Sequence, residues 1–251
     1  MIWCSYIKLN RECTPKFISE RVLKFIGNPK HCFNIQRVAN PEINFGIHLF
    51  TIFAPMHFLN FWQYIQPYDV WLIKHINQDW SNPFLDFILP FFRETLYWIP
   101  LYLFLILFTT INFKVRGWYW VAGFLLTAAI SDLISSQFIK QVVMRTRPCQ
   151  DLEVAPLLRF FINYCPGSSS FTSSHATSHF AQAVFFFLTL RSISKWSWIF
   201  LVWAFLIAYT QVYVGVHYPF DVFCGAIIGT GIGFAISKLF HKKIGMLSLD
   251  K

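Results

Sequence analysis

Charged residues are scarce in this sequence. Only 13% of its 251 residues are Asp, Glu, Lys or Arg, whereas 55% are hydrophobic. A soluble domain carries charge on about a quarter of its residues. Acidic residues are the scarcer sign, at 12 against 21 basic ones, so the net charge is +9. This composition argues against a soluble enzyme and indicates a protein embedded in a lipid bilayer.

Two other patterns are missing. The histidines and cysteines form neither a CxxC nor an HExxH spacing, so we predict no metal site and expect no cofactor. No apolar segment is followed by a small-residue cleavage site, so no secretory signal peptide is indicated. The basic residues sit in the N-terminal region, in short loops and in three polar clusters, and not along one continuous face. We therefore expect the bilayer as a partner and no nucleic acid.

Long apolar segments predict an all-α, polytopic bundle of five to six transmembrane helices, since about 20 helical residues cross a bilayer core. Five segments suit this role: Tyr97–Phe113, Trp118–Ile139, Ser178–Leu190, Trp196–Tyr213 and Val222–Phe240. A sixth, Gly46–Ile65, contains polar residues and either spans the membrane or lies in its interface. Tyr68–Pro90 alternates apolar and polar residues, which is typical of helices lying on the membrane surface.

The chain divides by composition. Residues 1–55 hold seven Lys or Arg and three of the six cysteines. They are either a basic cytoplasmic tail or a non-native extension preceding a start at Met56. Residues 56–93 are predicted to form interfacial or first membrane helices, residues 94–240 the membrane core, and residues 241–251 a cytoplasmic tail.

Basic residues in the loops predict the orientation. They occur after alternate spans, at Lys114, Arg116, Arg191, Lys195, Lys238, Lys242 and Lys243. Lys and Arg favour cytoplasmic loops, so this end should be cytoplasmic. All three polar clusters then lie at the opposite, outer end. The outer loop also contains Cys149 and Cys165, which we expect to form a disulfide because that compartment permits it.

The first two polar clusters can bind an anion. KQVVMRTRP, residues 140–148, contains Lys140 and Arg147, and several positive donors suit a phosphate dianion. FTSSHA, residues 171–176, places Ser173 and Ser174 at the start of an apolar helix, a natural anion site. His175 could donate a proton to a leaving group. Taken singly, these residues also fit snorkelling cations and an ordinary helix cap.

The third cluster, VYVGVHYPFD at residues 212–221, can supply a nucleophile. His217 and Asp221 are four residues apart. A carboxylate beside an imidazole fixes its tautomer and makes the other ring nitrogen more nucleophilic. The alternative is an interfacial aromatic turn in which the pair is structural. Three such clusters on one predicted face are far more specific than any of them alone.

Together the clusters resemble the type 2 phosphatidic acid phosphatase (PAP2) superfamily, whose signature is Lys-x6-Arg-Pro, Pro-Ser-Gly-His and Ser-Arg-x5-His-x3-Asp. The first element is matched in full by Lys140, Arg147 and Pro148. In the second, Ser173 and His175 match, while Thr172 and Ser174 replace Pro and Gly. In the third, His217 and Asp221 match, but Thr210-Gln211 replaces Ser-Arg. The resemblance covers roughly residues 68–240.

The resemblance implies a mechanism. His217 would attack phosphorus and form a phosphohistidine, oriented by Asp221, while His175 protonates the leaving oxygen. The phosphoryl oxygens would be bound by Lys140, Arg147, Ser173, Ser174 and Gln211. Because Gln211 is a neutral donor where the family has arginine, we expect altered phosphate binding, with Arg145 and Arg159 as candidates to supply the missing charge.

The expected function is therefore hydrolysis of a lipid phosphate or diphosphate at the outer face of a bacterial inner membrane. Undecaprenyl diphosphate, phosphatidic acid and phosphatidylglycerophosphate-like lipids are the candidate substrates. One alternative is a phosphotransferase, and another is a non-enzymatic lipid-binding or transport protein with a degenerate site. The oligomeric state is not predicted.

Overall fold

A computed structural model describes residues 56–162 and 164–248. In this part of the chain seven principal helices follow one another, and no strand occurs. We number them α1 (Met56–Lys74), α2 (Pro83–Arg93), α3 (Ile99–Phe113), α4 (Val115–Val142), α5 (Ser174–Leu190), α6 (Ile199–Tyr213) and α7 (Pro219–Ile244). Helix α4 contains a π-helical stretch at Leu133–Ile139. Residues 1–55, and with them the first half of the Gly46–Ile65 candidate, lie outside the described residues.

The predicted all-α membrane bundle is confirmed. Four helical stretches are long and apolar enough to cross a membrane: Thr95–Phe113, Val115–Val142, Lys195–Tyr213 and Pro219–Ile244. The remaining predicted span, Ser178–Leu190, lies within α5, which begins inside the second polar cluster. Helix α5 has only 17 residues, but it packs against α4, α6 and α7 and forms the centre of the bundle.

Aromatic side chains fill the bundle's interior. Trp120, Phe185 and Phe186 are buried without solvent exposure and contact one another's rings. The Trp120 indole donates its Nε1–H to the Thr189 hydroxyl at 2.8 Å. A buried indole needs such a partner, so this bond fixes α4 against α5 in the membrane interior.

Glycines on α7 allow an unusually close approach of α5. A Cβ atom added to Gly229 would lie 2.2 Å from the Thr177 carbonyl oxygen, and one on Gly233 would lie 2.3 Å from that of Ala181. Gly225 is crowded in the same way. Small residues at four-residue intervals are typical of tight helix packing in membranes. The packing holds the start of α5 close to the start of α7.

Helices α1 and α2 carry exposed aromatic stripes. At spacings of three and four residues, the exposed side chains are Tyr64, Tyr68 and Trp71 on α1, and Phe84, Phe87 and Phe91 on α2. Aromatic faces of this kind suit a membrane interface. That residues 56–93 form interfacial or first membrane helices stays a prediction.

A disulfide closes the long loop between α4 and α5. Cys149 and Cys165 are bonded, with Cα atoms 6.0 Å apart and a sequence separation of 16. The predicted pairing is thus confirmed. Closing a loop of this size stabilises the folded state by about 3 kcal/mol in the chain-entropy model. The bond restrains the segment that joins the first two polar clusters.

The close contact between α5 and α7 gives a matched pair of tests. Gly229→Ala places a methyl group against the Thr177 backbone, and we expect overpacking of about 1–3 kcal/mol and a lower melting temperature in detergent. Gly231→Ala is the control, because nothing lies within 4 Å of its Cβ position. Equal melting temperatures of the two variants would contradict this account of the packing.

Candidate active site

A buried arginine, Arg145, joins three separate segments of the chain. Its Nη1 atom lies 2.5 Å from Asp221 Oδ1, and its Nη2 atom lies 2.6 Å from Asp69 Oδ2. The guanidinium is placed 4.4 Å from the Trp62 ring centroid and 4.2 Å from that of Tyr218. Two carboxylates and two aromatic faces thus enclose one cation, an arrangement to which the planar guanidinium is suited.

The same network attaches α1 to the third cluster. Asp69 accepts the backbone N–H of Phe220 at 2.8 Å. Gln66 accepts a hydrogen bond from Arg145 Nη2 at 2.9 Å and donates one to the Tyr218 hydroxyl, also at 2.9 Å. Helix α1 therefore belongs to the framework of the site.

Asp221 connects this framework to the start of α5. Besides Arg145, its carboxylate accepts hydrogen bonds from the Ser170 hydroxyl and from the Tyr218 backbone N–H. Its backbone carbonyl accepts the Ser173 N–H at 3.2 Å. The second and third polar clusters are thus held together, as their common outer position predicts.

His217 lies between Arg147 and Asp221 and is only 2% exposed. Arg147 Nη1 is 3.0 Å from His217 Nε2, and Asp221 Oδ2 is 3.9 Å from Nδ1. Because a guanidinium can only donate, Nε2 is the acceptor and its lone pair points toward Arg147. The proton then resides on Nδ1, facing Asp221 across a gap that is too long for a hydrogen bond.

Electrostatics keep this imidazole neutral. Burial lowers the pKa of His217 to about 3; the nearby Asp221 carboxylate opposes this shift, and the Arg147 charge adds to it. A neutral ring at physiological pH leaves Nε2 unprotonated, with its lone pair facing Arg147. An unprotonated Nε2 is the form that a nucleophilic role requires.

The remaining predicted residues lie at the start of α5 and near the end of α4. Ser173 caps α5, with its hydroxyl accepting the Ala176 N–H at 3.4 Å, and the Ser174 hydroxyl lies 2.9 Å from that of Ser136. His175 follows in the first turn of α5. The cations close enough to act electrostatically on its ring include Lys140 and Arg147. Lys140 directly follows the π-helical stretch of α4, a feature frequent at functional sites.

One further residue acts on His175, and the sequence did not reveal it. Arg93, the last residue of α2, is 4% exposed. Its Nε–H points to Gln211 Oε1 at 3.4 Å, and its guanidinium lies 5.1 Å from the Tyr164 ring centroid. No motif spacing marks Arg93. The only signal was an arginine closing the apolar run FILPFF, in a helix interpreted as interfacial.

The two arginines expected to compensate for Gln211 are engaged elsewhere. Arg145 is occupied by Asp69 and Asp221. Arg159, which is partly exposed, pairs with Asp86 at 2.6 Å. The expectation that one of them supplies the missing charge is therefore corrected: both already neutralise carboxylates. Gln211 itself donates its Nε2–H to the Ile207 carbonyl at 3.4 Å.

Fold and site define a phosphatase built into a membrane helix bundle. Residues 118–244 match the PAP2 superfamily, and the chain belongs to that superfamily. It is 33% identical over 173 residues to lipid A 4′-phosphatase of Bacteroides thetaiotaomicron, covering 67% of this chain and 76% of the relative. It is 31% identical over 171 residues to undecaprenyl-diphosphatase of Sulfolobus acidocaldarius, covering 66% and 76% respectively.

Solved structures show the same fold. The PAP2-type phosphatidylglycerolphosphate phosphatase of Bacillus subtilis superposes with a TM-score of 0.56 at 20% identity, covering 71% of this chain and 87% of its own. Aquifex aeolicus LpxE superposes with a TM-score of 0.50 at 26% identity, covering 66% and 93%. The chain is thus a phosphoric ester hydrolase of the PAP2 type.

Removal of Arg145 tests the framework. In Arg145→Met, two buried carboxylates lose their shared cation, and we expect a loss of roughly 3–5 kcal/mol of folding free energy. Adding Asp69→Asn should recover part of the loss, because one uncompensated charge is removed. Melting temperatures in detergent measure both effects.

Arg159→Gln is the control for this experiment. It breaks an ion pair that is partly exposed, and such pairs contribute about 0–1 kcal/mol. If Arg145→Met and Arg159→Gln lowered the melting temperature equally, the buried bridge would not have the structural role assigned to it.

Proposed function

We propose that this protein hydrolyses the phosphate ester of a membrane lipid through a phosphohistidine on His217. The observation that carries this proposal is the geometry around His217, with Arg147 at Nε2 and Asp221 opposite Nδ1. Nε2 bonds to phosphorus as the bond from phosphorus to the lipid oxygen breaks. His175 donates a proton to that oxygen. Burial and the surrounding cations lower the pKa of this ring to about 4, and the charge of the bound phosphoryl dianion opposes that shift and lets the ring carry the proton. Asp221 stabilises the positive charge on the His217 ring.

The second step regenerates the enzyme. Water attacks the phosphohistidine, His175 accepts a proton from that water, and the nitrogen–phosphorus bond breaks to release inorganic phosphate. Because Arg147 lies 3.0 Å from Nε2, the oxygens of a phosphoryl group on that atom are within its reach. Lys140, Ser173 and Ser174 complete the anion-binding side of the site.

The favoured substrate is a phosphomonoester on a saccharide lipid of the lipid A type. Two relatives are named lipid A 4′-phosphatase, and one of them is the 33% identical protein. Undecaprenyl diphosphate is the second candidate, because the undecaprenyl-diphosphatase matches over a similar length. Both lipids carry their phosphate at a bilayer surface. The exposed aromatic stripes of α1 and α2 support a position of the site at that surface.

We further propose that the site faces the outer side of a bacterial inner membrane. The loop between α3 and α4 and the loop between α5 and α6 lie at the bundle end opposite His217, and they carry Lys114, Arg191 and Lys195. The positive-inside rule makes that end cytoplasmic. Since Asp69 and Arg93 lie in residues 56–93, this segment belongs functionally to the core of residues 94–240.

Of the alternatives, phosphotransfer shares the first half of this mechanism and differs in the acceptor. The two reactions are distinguished by adding glycerol as an acceptor and measuring the amounts of glycerol phosphate and inorganic phosphate that form. A non-enzymatic role is disfavoured, because His217, His175 and Asp221 are all present and His217 lies between Arg147 and Asp221.

Phosphate release from three lipids tests the proposal. Purified protein should release phosphate from lipid A, undecaprenyl diphosphate or phosphatidic acid, with the highest kcat/KM for lipid A. His217→Ala removes the nucleophile and should lower kcat by roughly 10³-fold or more for each lipid. His75→Ala is the control, since this histidine bonds only to its own helix and to Asp79 nearby.

Three results would count against parts of this proposal. Wild-type inactivity on all three lipids would contradict the function. Full activity of His217→Ala would contradict the mechanism. A higher kcat/KM for undecaprenyl diphosphate would replace the favoured substrate with the second candidate.

A further inference from the structure

We infer that Arg93 supplies the phosphate-binding charge that Gln211 lacks, and that Gln211 positions Arg93. This inference rests on the proposed function and deepens it. The charge that the PAP2 signature places on the helix preceding the nucleophile would here come from α2, which lies outside the residues matched to the family.

Burial without a close anionic partner is the first argument. Arg93 is 4% exposed, and its Nη1 atom makes no hydrogen bond within the described part of the chain. The nearest carboxylate, that of Glu94, is 3.8 Å away and half exposed. A buried cation is costly unless it is paired. A phosphoryl dianion would provide the partner that the protein does not.

Position is the second argument. Arg93 is among the cations whose charge lowers the pKa of His175, together with Lys140 and Arg147, and it also lowers the pKa of Arg147. Arg93 therefore shares its electrostatic surroundings with the two predicted phosphate-binding cations. Its contact with the Tyr164 ring attaches it to the disulfide-closed loop.

The orientation of Gln211 is the third argument. Its Nε2–H is used on the carbonyl of Ile207 in its own helix, and its Oε1 faces Arg93 Nε. The side chain therefore offers its acceptor to Arg93 and has one of its two N–H donors engaged within its own helix. An arginine at position 211 would instead place a second positive charge beside Arg93. The neutral amide at position 211 therefore goes together with an arginine at position 93, which is far away in sequence but adjacent in the fold.

Moving the positive charge from position 93 to position 211 tests this inference. Arg93→Gln should weaken inhibition by inorganic phosphate roughly 10- to 100-fold, the loss expected for a charge-assisted bond. It should also raise KM for the lipid phosphate and reduce the melting-temperature shift produced by vanadate, which reports binding without turnover. Adding Gln211→Arg to Arg93→Gln should restore phosphate inhibition to within about threefold of wild type, since one cation is returned to the same region.

Two control variants sharpen the comparison. Gln211→Arg alone should not tighten phosphate binding, because Arg93 already supplies the charge. Arg159→Gln, an outer-face arginine paired with Asp86, should leave phosphate inhibition unchanged. A gain in affinity in Gln211→Arg alone would show that the site lacks a cation and would overturn the inference.

Each of the remaining outcomes also bears on the inference or on the proposed function. Unchanged phosphate inhibition in folded Arg93→Gln, or a double variant that folds without regaining it, overturns the inference. A changed KM with unchanged inhibition by inorganic phosphate would assign Arg93 to the leaving lipid and would likewise overturn it. If Arg93→Gln does not fold, the double variant decides by its vanadate shift. Wild-type inactivity on every lipid, with the vanadate shift intact, contradicts the proposed function but not the phosphate site.

Discussion

The site depends on one buried cation held between two carboxylates. Arg145 joins Asp69 on α1 to Asp221 on α7, each 76 residues away in sequence. Withdrawing these three charges from water is costly, and only their mutual contacts and the surrounding aromatic faces offset that cost. The arrangement therefore tolerates little displacement of α1, of the loop after α4 or of the loop before α7, and these segments enclose His217.

This pairing also sorts the charges of the site into two groups. Arg145 and Arg159 form ion pairs with carboxylates, and these pairs stabilise the fold. Arg93, Lys140 and Arg147 donate no hydrogen bond to a carboxylate in the described residues. Arg147 and Lys140 therefore leave positive charge near the His217 imidazole. Such a field favours a dianion and the negative charge that develops on phosphoryl oxygens during transfer.

Much of this arrangement could be predicted from local patterns. The apolar runs and basic loops predicted the helices and the meeting of three clusters at one end. The roles of Arg145 and Arg93 could not be predicted in this way. Their decisive partners, Asp69 and Gln211, lie 76 and 118 residues away, so the contacts arise from tertiary packing. Helices α1 and α2, interpreted as membrane-surface helices, contribute to the site because their polar residues face inward.

The central claim is that the phosphoryl group passes through His217. Its most direct test is rapid quenching of the wild-type protein during turnover of a lipid labelled with ³²P. We predict a label on the protein that is stable in alkali, labile in acid and located by mass spectrometry in the peptide containing His217. Steady-state release of phosphate with no label on the protein, or with the label on another residue, would contradict the account.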